Sequence, residues 1–471
     1  MNLIACYKDT IRQLLSPLAF LIRILQAEMQ KLSFKVRIGI GLLIWMVAAS
    51  VGLGASSALL RGMHTHGYSN NNSLSIWMAE SVMCRQQGIM TDPTNPAQAL
   101  QAGITQKALI AVLDQYPDKQ NLRDYLQRSA DVAASYMANS FDNVLSLWPL
   151  DRLSTGNVMV ENGSSVYNKA LAALATSISF NQRNKERGLW YWRTYPQWSY
   201  LDGMYSYAPF AAIYNFGKGC ADYDERHPMN TTSRSCIIHN DTMADIQNQF
   251  ALLWQHCRNA TTGLLYHGYD ASKKASWAQR STGSSPIVWG RSLGWYLMAL
   301  VDTLELLRHD MASPWRDPLL AYFQDLIWSI MNYVDPVTGG WYQVVDQGQR
   351  EGNYVESSAT AMFSYALLKG ARLGYIHEDD ADEARNIALR AHQYLTKVSV
   401  VREANGTLGW NGTVGVCSLN SSATYQYYTG QPIDYNNPFG AGAYILASIE
   451  VERLIASLGG AKRNDNGSVS A

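Results

Sequence analysis

Residues 197–210, Gln-Trp-Ser-Tyr-Leu-Asp-Gly-Met-Tyr-Ser-Tyr-Ala-Pro-Phe, place one carboxylate, Asp202, among five aromatic side chains. Aromatic faces stack on the apolar faces of pyranose rings and exclude water. A carboxyl group kept from water holds its proton above the ordinary Asp value of about 3.9. It can then donate that proton to a substrate. The set suits sugar chemistry better than metal or phosphate chemistry. It also fits a helix start that buries aromatics against a core.

Other stretches carry matching chemistry. Trp289-Gly-Arg-Ser-Leu-Gly-Trp295 joins two indoles to Arg291, whose planar fork can grip a carboxylate with two hydrogen bonds while Trp289 and Trp295 offer stacking surface. The competing reading is a helix N-terminus with a structural cation–π pair. His267, in Leu265-Tyr-His-Gly-Tyr-Asp270, sits in a loop among aromatics, suited to positioning a hydroxyl or simply satisfied as a polar group. Asp151, in Trp148-Pro-Leu-Asp-Arg152, is either a second carboxylate of an acid/base pair or a structural residue, the ion-pair partner of Arg152 or a nearby cap. Glu356 reads as a first-turn helix residue. No CxxC, His-rich or HExxH spacing points to a metal, no Gly-x-Ser-x-Gly elbow is present, and no cofactor is expected.

Helical periodicity must position these residues. Over 381–398 the set Ala384, Ile387, Ala388, Ala391 and Leu395 follows the i, i+3, i+4, i+7 rule. Similar stretches fall near 74–88, 103–116, 122–140, 165–183, 205–216, 243–257, 290–308, 316–334, 355–374 and 440–457. Thr242 with Asp245 gives a capping-box signal. Strand-like alternation is confined to 340–345 and 399–402. About eleven helices with glycine-rich loops suggest stacked hairpins, and twelve would close an all-α (α/α)6 toroid; an open solenoid shares that periodicity.

The 471 residues carry 38 basic and 38 acidic side chains with no dense basic stripe, which argues against a nucleic-acid partner. The 47% hydrophobic content supports a large core, and 14 Trp with 28 Tyr fit a carbohydrate groove or an aromatic core equally. Residues 38–60 form an uncharged run of 23 behind a basic segment, 1–37. That pattern fits either a signal anchor with a cytosolic N-terminus or, read from Met29, a cleaved signal peptide. Residues 61–457 are then the translocated domain and 458–471 a polar tail. Sequons at Asn71, Asn162, Asn230, Asn240, Asn259, Asn405, Asn411, Asn420 and Asn466 all follow the apolar segment, as secretory-pathway glycosylation requires. Cys220 and Cys236 bracket a polar loop that a disulfide could close, while five cysteines on that side leave at least one unpaired within the chain.

Taken together, the motifs resemble those of unsaturated rhamnogalacturonyl hydrolases, glycoside hydrolase family 105. The resemblance runs through Leu201-Asp-Gly203 with Tyr205 and Ala208-Pro-Phe210, then 265–270 and 289–300. It continues through Trp341-Tyr-Gln-Val344, Arg350-Glu-Gly-Asn-Tyr-Val-Glu-Ser-Ser-Ala359 and Gly440-Ala-Gly-Ala-Tyr-Ile-Leu-Ala-Ser448, covering roughly residues 100–457 in order. It implies an (α/α)6 barrel acting on pectin-lyase products, which bear 4,5-unsaturated galacturonic acid at the non-reducing end. In that family an aspartic acid, matching Asp202, protonates C4 of the vinyl ether, and water adds at C5. Positions matching His267, Trp289, Arg291 and Trp295 line the uronate subsite, and Asp151 is the candidate second acid. Tyr200 stands where the family usually has Trp, and the 219–239 segment looks like an insertion. The expected partner is an unsaturated uronate oligosaccharide, with a membrane contact through 38–60 if that segment is retained. An unsaturated glucuronyl hydrolase and a non-catalytic glycan-binding protein on the same scaffold are the alternatives.

Overall fold

A computed structural model describes residues 73–92, 94–139, 148–216, 240–307 and 313–465. The basic segment, the apolar run 38–60, the pair Cys220/Cys236 and the 219–239 insertion lie outside these residues. Among the described residues no helix is long and apolar enough to cross a membrane.

The chain is mostly helical. In order come α1 (Leu74–Cys84), α2 (Ala97–Gln115), α3 (Gln120–Asn139), α4 (Gly156–Asn162), α5 (Asn168–Phe180) and strand β1 (Trp198–Tyr200). Then follow α6 (Asp202–Phe216), α7 (Asn240–Cys257), β2 (Gly268–Asp270), α8 (Gly290–Leu306), α9 (Ser313–Met331), α10 (Ser357–Arg372) and α11 (Glu378–Val398). Strands β3 (Val400–Arg402) and β4 (Leu408–Trp410), the short α12 (Tyr425–Thr429) and the long α13 (Pro438–Asp465) complete the set.

Alternate elements form an inner and an outer layer. The inner segments α2, 150–162, α6, α8, α10 and α13 each pack on the next, and α13 returns to α2, so the ring closes. That closure distinguishes a toroid from the open solenoid the periodicity also allowed. Sequence separates the layers as physics requires. In outer α11 the expected Ala384, Ile387, Ala388, Ala391 and Leu395 are buried and the opposite face is solvated. In inner α8 every residue from Gly290 to Leu304 is buried, so no one-sided stripe exists.

Differences from the sequence reading have local causes. Residues 150–162 complete the inner ring as a 3-10 turn (Leu150–Thr155) running into the seven-residue α4, too short to register a 3.6 period. α7 begins at Asn240, and Asp245 lies inside it, gripped by Arg183 at 2.7 Å rather than serving a capping box. At 340–345 isolated bridges replace a strand, and 399–402 is matched by β3. α13 continues past 457 to Asp465, into the expected tail.

β1 and β2 pair antiparallel with Tyr200 opposite Gly268, and Leu201 N donates to His267 O at 3.1 Å. A Cβ on Gly268 would lie 2.5 Å from Ser199 O, so only glycine permits this approach. The ladder fixes Asp202, two residues past Tyr200, beside His267.

Candidate active site

The N-terminal ends of five inner segments meet at one cleft of about 320 Å³. Ala97 of α2, Asp151, Asp202 of α6, Arg291 and Trp295 of α8, and Phe439 of α13 all line it. The partial positive charge at each helix start converges there, a field that favours an anion. Asp151, Tyr200, Asp202, His267, Trp289, Arg291 and Trp295, singled out from sequence, all face this one space.

Asp202 opens α6 and is 7% exposed. Its Oδ2 accepts from Ser292 Oγ and lies 3.3 Å from His267 Nε2. The other ring nitrogen, His267 Nδ1, is 2.7 Å from Tyr428 Oη. Rings of Tyr200, Trp289 and Tyr428 box the imidazole at 5.2, 4.8 and 5.9 Å between centroids. These contacts leave His267 one orientation, with one nitrogen on a carboxylate and one on a phenol.

Asp151 faces Asp202. Tyr191 Oη donates to its Oδ2 at 2.7 Å, and its Oδ1 is buried without a hydrogen-bond partner. Burial, reinforced by the charge of Asp202, pushes the Asp151 carboxyl up to about 7 against the Tyr191 hydrogen bond. Arg152 does not neutralise it. Its guanidinium reaches the carbonyls of Trp148, Pro149 and Ser177 and the side chains of Ser177 and Asn181. Tyr191 also stacks on Tyr200, 4.5 Å between centroids at 17°. Tyr200 therefore joins the surroundings of the two carboxylates.

Arg291 is 2% exposed and lies 4.8 Å over the Trp289 ring. Its two terminal nitrogens donate to the carbonyls of Val414 and Gly415, each at 2.5 Å. A guanidinium has five N–H groups, so donors remain after these two bonds. The cation–π contact of the structural reading is present, and Arg291 also straps a loop while it lines the cleft. Glu356 holds the same loop from the other side, accepting from Val414 N at 3.0 Å while it caps α10 through Ala359 N at 2.7 Å. Trp289 Nε1 donates to Gln343 Oε1 at 3.0 Å, and Trp295 packs against Tyr205 and Phe439.

Sequence reasoning missed Ser292, Tyr191 and Tyr428. Ser292 lay within the Trp289–Trp295 motif, so its position there was the available signal. Tyr428 is 161 residues beyond its histidine, and nothing local marks it. Among the described residues no group of three or more His, Cys, Asp or Glu is arranged to hold a metal ion.

The model of Glycosyl Hydrolase Family 88 matches residues 76–455. The chain belongs to the glycoside hydrolases of families 88 and 105. It is similar to a Clostridium acetobutylicum (C. acetobutylicum ATCC 824) glycoside hydrolase from family 105, with 30% identity and a TM-score of 0.68. That match covers 81% of this chain and 100% of the other. The unsaturated glucuronyl hydrolase of Bacillus sp. GL1 shares the fold at 13% identity and a TM-score of 0.57, covering 81% and 96% of the two chains. Protein Atu3128 of Agrobacterium fabrum is 34% identical over 194 residues, 40% of this chain and 82% of that protein. These relationships support a hydrolase of the unsaturated glycoside type on a six-hairpin scaffold.

Proposed function

We propose that the enzyme removes 4,5-unsaturated galacturonic acid from the non-reducing end of rhamnogalacturonan fragments, by hydration of the C4=C5 vinyl ether. The observation that carries this reading is Asp202 at a helix start, held by Ser292 and His267 and faced by a second carboxyl inside an aromatic cleft.

In this reading protonated Asp202 gives its proton to C4, and positive charge develops on C5 and the ring oxygen. Water adds at C5 and returns a proton to the Asp202 carboxylate. The hemiketal opens to a C5 ketone, and the C1–O bond then breaks to an aldehyde as the leaving saccharide takes up a proton. His267 orients the acid through Nε2. Arg291 and the converging helix starts attract the uronate carboxylate, and Trp289, Trp295 and Tyr200 shield the double bond from bulk water. Asp151, which keeps a proton up to about pH 7, adds little negative charge beside an anionic substrate below that pH.

We also infer that the domain is translocated and N-glycosylated. Asn162, Asn405, Asn411 and Asn420 are exposed and Asn259 is half-buried, surface positions of the kind that acceptor sites require.

The test follows the ultraviolet absorbance of the conjugated C4=C5 acid in rhamnogalacturonan-lyase digests. Wild type should bleach it, and Asp202→Asn should lose roughly 10²–10⁴-fold or more in rate. Bleaching that survives in Asp202→Asn removes the acid assignment. Bleaching confined to glucuronate-derived lyase products shifts the substrate to the unsaturated glucuronyl class, and binding without any bleaching leaves a glycan-binding protein.

A further inference from the structure

We infer that Asn420 carries an N-linked glycan whose first sugar stands at the mouth of the cleft and restricts the length of saccharide that can extend from it. The inference builds on the proposed hydrolase reading and adds a modification that selects substrate size. Asn420-Ser-Ser422 is an acceptor sequence, and both Asn420 and Ser422 are exposed. The Asn420 amide nitrogen, the atom that takes the sugar, lies 2.8 Å from Tyr195 Oη. Tyr195 lines the cleft, as does Ser418, two residues before the asparagine.

The sequon asparagines Asn162, Asn259, Asn405 and Asn411 point elsewhere. Asn162 donates to Gln127, and the side chains of Asn259, Asn405 and Asn411 bond within their own loops. Among these five, Asn420 is the one whose side chain contacts a cleft-lining residue.

The attachment chemistry leaves that contact available. In glycosylation the amide nitrogen attacks C1 of a lipid-diphosphate-linked oligosaccharide. The N–C1 bond forms, the C1–O bond to the diphosphate breaks, and one of the two amide hydrogens leaves as a proton. The second N–H can still reach Tyr195. The sugar therefore starts one covalent bond from an atom already in contact with the cleft wall. That wall is stiff: Tyr195 stacks on Trp198 with centroids 5.2 Å apart at 19°, and Trp198 begins β1, which leads to Asp202. A branched glycan fixed there leaves room for a short leaving saccharide and obstructs a long one.

The test uses the full chain secreted from yeast, the Ser422→Ala variant and wild type after enzymatic deglycosylation. Ser422→Ala removes the acceptor sequence and keeps the Asn420 amide with its Tyr195 contact. Peptide mapping should find Asn420 occupied in wild type. All three forms should hydrolyse an unsaturated disaccharide with equal kcat/KM. On tetrasaccharides and longer, Ser422→Ala and the deglycosylated enzyme should be several-fold faster than wild type. An unoccupied Asn420, or one length profile shared by all three forms, overturns the inference while leaving disaccharide hydrolysis intact. If no form hydrolyses the disaccharide, the parent reading fails on its own. The length profile is then read as binding, from quenching of tryptophan fluorescence by saturated oligosaccharides, with the same two outcomes.

Discussion

His267 touches Asp202 and Tyr428 at once, with Nε2 3.3 Å from the carboxylate Oδ2 and Nδ1 2.7 Å from the phenol oxygen. The phenol and the carboxylate fix the imidazole between them, so the surroundings of Asp202 depend on a tyrosine 226 residues away (428 − 202). Tyr428→Phe removes the hydroxyl and leaves His267 Nδ1 buried without that partner. Such a loss costs about 1–3 kcal/mol. We expect kcat to fall roughly 5- to 100-fold with KM little changed, because in the proposed mechanism the phenol acts on Asp202 through His267 and is not among the residues lining the cleft. A fall carried mainly by KM would place Tyr428 in substrate binding instead.

Asp151 couples the cleft to pH. Burial raises its carboxyl from 3.8 to about 7, so the folded protein favours the protonated form. The stabilisation is complete below about 3.8 and is lost as pH rises through 7. Asp151→Asn stays neutral at every pH. Its Tm relative to wild type should climb between pH 4 and pH 7, roughly the range of the shift, and level off above it. A Tm difference that does not vary with pH would show that Asp151 is not held neutral by the fold.

Arg291 tests whether the fork or the charge matters. Lysine keeps the charge but presents a compact ammonium that does not match a guanidinium spanning the Val414 and Gly415 carbonyls. Arg291→Lys should raise KM for the unsaturated uronate about tenfold, equivalent to ~1.4 kcal/mol. The loosened loop should also make Cys417, a buried free thiol that burial pushes up to about 12, react faster with thiol reagents. Unchanged KM and unchanged thiol reactivity would count against both roles.

Asp302, near the far end of α8, anchors a buried ion network away from the cleft residues. Burial on its own would raise its carboxyl, yet Lys107 and Lys369, each at 2.8 Å, hold it down to about 2. Its contribution is present above about 3.8 and lost as pH falls toward 2. Asp302→Asn leaves Lys369 buried with one carboxylate fewer. It should cost about 3–5 kcal/mol in denaturant unfolding at neutral pH, with kcat per folded molecule unchanged. A selective loss of kcat would connect this ion network to the cleft.

The sequence by itself determined the helical class, the buried stripe of α11 and the candidate site residues. Those features rest on periodicity and on short motifs, both of which are local. Asp202 with its aromatics, the Trp289–Trp295 stretch and His267 were legible because their chemistry is concentrated within a few neighbouring residues. The short 150–162 segment and the three-residue strands β1 and β2 were not, because neither is long enough to display a period. Only the tertiary structure decided that the inner ring closes through α13 and α2, bringing five segment starts to one cleft. It alone seated Tyr428 on His267 and Tyr191 on Asp151, and turned Arg152 away from its neighbour. Burial, and with it the raised proton affinity of Asp151, is produced by chain segments distant in sequence, so it exists only once the ring has closed.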